Sequence, residues 1–196
     1  MKRLLFAVML AGLVSCKQKG PVQVPVKAVV AGLEMIDYQE PSGAFEVQGP
    51  ADWQVKEDDR FGPSVSLLGP GTSKFPRSVS IHVSRYPNIG DPSPDPKGYY
   101  EGIKLISGYR NVSEFETRAI GGRQVQCYSA EMPRRPLHDR KVAYYVREDV
   151  AIIPIPGGYY RIDHTAPVET YKETLPVFEA VVASFKPGAN PAAKTP

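Results

Sequence analysis

The chain is poor in the residues from which compact reactive sites are built: 196 residues contain two cysteines and three histidines. His82, His138 and His164 stand apart, with no second His or Cys at a zinc-like spacing, so no local sequence pattern specifies a metal site. HExxH, GxSxG, Walker-type and dinucleotide fingerprints are all missing, and no catalytic residue can be assigned. A metal or hydrolytic site could still assemble in space, for instance if two histidines met Asp163 or Asp139. Neither charge sign dominates. The net charge is +3, and Lys2 and Arg3 supply two of those charges at the extreme N-terminus, so nucleic acid is not an expected partner. Long apolar runs are also scarce. Leu4 to Val14 is uncharged for 11 residues, about 16 Å as a helix, too short for a hydrocarbon core of roughly 30 Å.

That short run has the order of an export signal: Lys2 and Arg3 in front, an apolar segment, then Leu13, Val14, Ser15 and Cys16. The four residues resemble the bacterial lipobox, in which the cysteine sulfur receives diacylglycerol and becomes the new N-terminus after cleavage. Each buried CH₂ contributes about 0.8 kcal/mol, so two or three acyl chains would hold the protein permanently. An ordinary secretory signal with a chance cysteine is the competing reading. Lys17 rather than Asp after the cysteine favours the outer membrane, facing the periplasm, if the cell is Gram-negative. With Cys16 acylated, Cys127 has no intramolecular partner and is expected as a buried thiol on a strand face shared with Val125 and Ser129.

Residues 16–34 hold Pro21, Pro25 and polar side chains and read as an extended tether, although Val22 to Val30 could instead be an edge strand. The domain is placed at 35–187, with a frayed tail at 188–196. Ser78 to Tyr86 alternates apolar and polar residues, as a half-buried strand does. Asp95 and Pro96 open a helix whose expected apolar positions are Tyr99, Ile103 and Ile106. Gly121 and Gly122 turn a hairpin between Glu114 to Ile120 and Arg123 to Met132. Lys141 to Ile153 and Tyr159 to Ala166 read as strands reversed by Pro156, Gly157 and Gly158. Tyr171, Leu175, Phe178 and Val182 form one helical stripe, with Pro176 expected to delay the helix start to Glu173 or Thr174. The pairs Tyr144, Tyr145 and Tyr159, Tyr160 set one aromatic on each sheet face, so both faces should be covered. Lys56 to Arg60 reads as a surface turn.

Phe45, Val47, Pro50, Ala51, Asp52 and Trp53, then Val79 to Val83 before a Pro-rich loop, form one part of a wider pattern. The other is Tyr159, Tyr160, Arg161, Ile162, Ala166, Pro167, Tyr171, Pro176, Val177, Phe178, and Val181 to Lys186. Together they resemble the PsbP-like superfamily, including its bacterial DcrB-like lipoproteins. The resemblance implies an α+β fold, an α/β/α sandwich around a mainly antiparallel sheet of about six or seven strands with two main helices. It also implies a binding or assembly factor, without a cofactor and with no catalytic residues to carry over. The expected partners are the membrane, through the lipid, and an envelope protein. A tyrosine-lined small-ligand pocket is the alternative. Arg134, Arg135, Arg140 and Lys141 form a possible patch for anionic headgroups or an acidic partner; a solvated loop is the plainer reading. Cys16→Ser is expected to release the chain from membranes; continued sedimentation with membranes after a high-salt wash would exclude the acyl anchor.

Overall fold

The computed structural model describes residues 28–60, 62–71, 79–87, 95–135 and 143–188. The signal segment, the lipobox at Leu13, Val14, Ser15 and Cys16, most of the tether, and 189–196 lie outside these residues, as do His138, Arg140 and Lys141. The chain makes two sheets and two helices. A seven-stranded sheet runs in the order β4(Gln54–Asp58), β5(Ser64–Leu68), β6(Ser80–Pro87), β10(Gly158–Pro167), β9(Tyr144–Ile155), β8(Arg123–Arg134), β7(Glu116–Ile120). Every pairing in it is antiparallel. A four-stranded sheet has the order β1(Ala28–Val30), β2(Leu33–Gln39), β3(Phe45–Pro50), β11(Lys186–Pro187). The helices are α1(Pro96–Leu105) and α2(Tyr171–Ser184).

Strand alternation decides what each face of the large sheet presents. The first face carries Val65, Leu67, Ile81, Val83, Val125, Cys127, Ala151, Ile153, Tyr160 and Ile162, which pack on Phe45 and Val47 of β3 and on Val177, Phe178, Val181 and Val182 of α2. Phe45, Tyr160 and Phe185 meet at ring-centroid distances of 4.8–6.0 Å. The Tyr160 hydroxyl donates to the Ala44 carbonyl at 2.7 Å. The opposite face has a smaller core of Tyr100, Ile103, Tyr128, Ala130, Val150, Ile152 and Tyr159, covered by α1 and the segment after it.

The α+β class, the two helices and the mainly antiparallel sheet agree with expectation; the four-stranded sheet is additional. It arises because Ala28 to Gln39 folds as a hairpin, turning at Ala31 and Gly32 with φ of 51° and 79°. Strand structure is therefore already present at 28–34, inside the segment read as tether. Lys56 to Asp58 belongs to edge strand β4 and not to a turn, because pairing with β5 satisfies its backbone while its side chains stay in water. On α1 the buried positions are Tyr100 and Ile103, whereas Tyr99 is 40% and Ile106 50% exposed. The helix ends at Leu105 and Ile106 is extended, so spacing across that point has no helical meaning.

Helix α2 begins at Tyr171 despite Pro176. Proline removes the amide that would bond the Lys172 carbonyl; both residues are on the exposed side, where water can satisfy that oxygen. The Thr174 hydroxyl also bonds the Tyr171 carbonyl, at 3.2 Å. Phe185→Ala is expected to destabilise the domain by about 3–5 kcal/mol, measured by urea unfolding, because Phe185 is wholly buried between two sheets. A loss below about 1 kcal/mol would mean that this junction is not the keystone of the core.

Candidate functional site: a tyrosine cleft over a buried charge network

On the second face, odd-numbered residues of β10 and even-numbered residues of β8 and β9 converge beneath α1. Tyr86, Tyr99, Tyr128, Ile152, Tyr159 and Arg161, with Pro96 at the helix start, line a cavity of about 100 Å³. Tyr86 and Tyr159, paired across β6 and β10, stack with centroids 5.1 Å apart. The Arg161 guanidinium lies 4.5 Å from the centroid of Tyr99. Behind the aromatic wall it donates to Asp163 at 2.6 Å and Glu148 at 3.1 Å. Such pairing is required, since an isolated buried charge would cost several kcal/mol.

Two carboxylates around one guanidinium leave excess negative charge. Burial, then the neighbouring Asp163, pushes the Glu148 carboxyl up to about 7; burial also raises Asp163, against Arg161. Tyr128 is 1% exposed and among the described residues its hydroxyl has no hydrogen-bond partner. An unpaired buried hydroxyl costs roughly 1–3 kcal/mol, which marks this wall as less stable than the first face.

A second polar cluster lies on the first face. His164 is wholly buried, its Nε2 2.9 Å from the Thr174 hydroxyl and its Nδ1 3.6 Å from Asp149. These residue types can form a hydroxyl–imidazole–carboxylate relay, but 3.6 Å is beyond a hydrogen bond. Asp149 is held instead by Arg147 at 3.2 Å, and Arg147 also donates to Ser129 at 2.9 Å. The cluster ties α2 to the sheet.

The structure separates the histidines: His164 is on the first face, while His82 is on the second, opposite Asp163 in register and 3.0 Å from the Ser66 hydroxyl. Among the described residues no group of three His, Cys, Asp or Glu could hold a metal ion. Cys127 is buried, with Arg118 Nε 3.0 Å from its Sγ. Arg134 and Arg135 are exposed at the end of β8; whether Arg140 and Lys141 join them falls outside the described residues. No described helix is long and apolar enough to cross a membrane. The charge network was missed in sequence because Glu148, Asp163 and Arg161 look like ordinary strand charges until β9 and β10 pair. The signal available was the alternation of Arg161 and Asp163 with Tyr160 and Ile162 in β10, and the charged run Arg147 to Asp149 directly before the apolar Val150 to Ile153 of β9.

No protein-family model matches the chain, and no curated protein is similar to it in sequence. Similar solved structures include the Saccharomyces cerevisiae Ran-binding protein Mog1p, at 11% identity and TM-score 0.51 over 79% of this chain and 95% of that one. That likeness shows a shared fold. Cyanobacterial PsbP (CyanoP) from Synechocystis sp. PCC 6803 matches at 14% identity and TM-score 0.46, over 86% of this chain and 99% of that one. LpqN of Mycobacterium tuberculosis, involved in cell envelope biogenesis, matches at 11% and 0.49, over 80% and 91%. The chain spans 49% of a longer Bacteroides thetaiotaomicron protein that it also matches, at 16% identity and TM-score 0.48 over 80% of this chain.

Because the folded-state pKa of Glu148 is raised above its ordinary 4.5, its contribution to stability is full below about pH 4.5 and is lost as pH rises through about 7. Glu148→Gln is therefore expected to gain stability relative to the unsubstituted chain across that interval. Parallel stability–pH curves for the two proteins would rule this out.

Proposed function

We propose that this chain is a lipoprotein held by an acyl group on Cys16 at the non-cytoplasmic side of a membrane, and that its folded domain is a non-catalytic module that binds an envelope protein. The anchor rests on the signal segment and lipobox in the sequence. The binding role rests on one observation: an almost wholly apolar, tyrosine-walled cavity of about 100 Å³.

In this cleft, size favours an inserted side chain over a small molecule. Small-molecule and cofactor sites run to about 300–1,000 Å³, and a cavity of roughly 150 Å³ just admits benzene. This one suits a single inserted side chain. Interfaces concentrate their energy in such anchor pockets, where an aromatic wall excludes water around one inserted group. The preferred anchor has an aliphatic or small aromatic body that fits the apolar wall. Arg161 is already neutralised by Glu148 and Asp163, so it shapes and rigidifies the cleft instead of attracting an anion.

A photo-crosslinking residue in place of Tyr99, in lipidated protein in its native membrane, is expected to give one discrete protein adduct. Pro96→Trp, which fills the cavity mouth, should reduce that adduct at least about tenfold, the equivalent of a lost anchor contribution of about 1.4 kcal/mol. Absence of a protein adduct, or co-purification of a small molecule whose binding the same substitution blocks, would replace this reading with a ligand-binding one.

A further inference from the structure

We infer that the surface beyond the C-terminal end of α1 docks onto an anionic lipid bilayer. Leu105 is 87% and Ile106 50% exposed, two large aliphatic side chains side by side where a water-facing surface has no use for them. After α1 the chain runs back antiparallel to the end of β8. The Arg110 amide donates to the Glu131 carbonyl at 3.0 Å, and the reverse bond is 2.9 Å. Extending that register sets Gly108 beside Pro133, and a Cβ built on Gly108 would indeed lie 3.2 Å from Pro133 Cγ and 3.6 Å from an Arg135 guanidinium nitrogen. The chain turns between Ile106 and Tyr109, whose amide donates to the Ile106 carbonyl at 3.3 Å, and it is this turn, directly after the exposed aliphatic pair, that lies against Pro133 and Arg135.

Among the described residues the edge that this turn forms with the end of β8 is cationic. Lys104 is paired with Glu101 at 3.4 Å, and Arg110 with Glu131 at 2.7 Å. These pairs cancel locally; Arg134 and Arg135 are both exposed at the end of β8, although Arg134 also lies near enough to Glu148 to act on its carboxyl. Aliphatic residues that can enter the acyl boundary, flanked by guanidinium groups at headgroup level, are complementary to a membrane carrying negative lipids. An acidic protein would satisfy the arginines but would have to supply an apolar hollow for Leu105 as well. Docking by this edge would also orient the cleft, whose walls Pro96 and Tyr99 come from the other end of the same helix.

The test uses the lipidated full-length protein with a nitroxide on Ile106→Cys; Cys127 is buried and does not compete for label. In vesicles containing one part phosphatidylglycerol to about two parts phosphatidylcholine, the label should become shielded from a water-soluble nickel chelate and accessible to oxygen. In pure phosphatidylcholine it should stay in water, as should a label at Lys172→Cys on α2, on the opposite layer, in both vesicle types. Each arginine at an anionic surface contributes about 1 kcal/mol, so Arg134→Ala with Arg135→Ala should lower the docked-to-free ratio about thirtyfold. A label at 106 that stays equally wet in both vesicle types overturns the inference. So does shielding equal in neutral vesicles, or shielding that appears only when a protein partner is added. Vesicle association itself, with either lipid, reports the acyl anchor and is read separately from the label.

Discussion

The contact on which the rest of the structure depends is the meeting of Phe45, Tyr160 and Phe185. They come from the small sheet, the centre of the large sheet and the residue that closes α2, and all three are almost completely buried. The Tyr160 hydroxyl bonds the Ala44 carbonyl across 116 positions of sequence, and the Arg123 guanidinium bonds the Phe185 carbonyl. Aromatic area drives the closure, and the two polar contacts fix its register without leaving a buried donor unpaired. Removing any ring would leave a cavity where the small sheet, the large sheet and the end of α2 meet.

With the first face sealed in this way, the second face is free to hold something less stable. Its core is small, α1 covers only part of it, and an ionised network sits among aromatic rings. Buried ion groups contribute little net stability, since desolvation offsets most of the Coulombic attraction. Such a network is tolerated where it positions something, and here it holds Arg161 against Tyr99 at the cavity wall. The same helix that closes the cleft at one end exposes Leu105 and Ile106 at the other, so a single short element sets the relation between the two surfaces.

Much of the architecture was legible in local pattern. Gly121 with Gly122, and Gly157 with Gly158, turn the two hairpins because their backbone needs positive φ, and Tyr159 with Tyr160 did divide between two covered faces. The misreadings share a cause. The apolar stripe on α1 was offset because Tyr99 and Tyr100 are chemically alike, and only the sheet beneath selects which one is buried. Edge strand β4 looked like a turn because an edge buries little and keeps its charges. Pro176 could sit inside α2 because that side of the helix is solvated, a property of packing and not of the proline. The cleft was anticipated only as a possible tyrosine-lined pocket; its arginine and carboxylates were not.

What the sequence by itself determined are the features with a fixed local physics: an apolar N-terminal run too short to span a bilayer, strands with period two, turns that demand glycine, and an α+β order of elements. Tertiary structure alone decided that Glu148, Asp163 and Arg161 share one buried site, that His82 and His164 are kept on opposite faces, and that the turn at Gly108 lies against Pro133 and Arg135. Each of those juxtapositions depends on strand register between segments far apart in the chain. Register is chosen by the burial of a whole face at once, and no single segment carries that information.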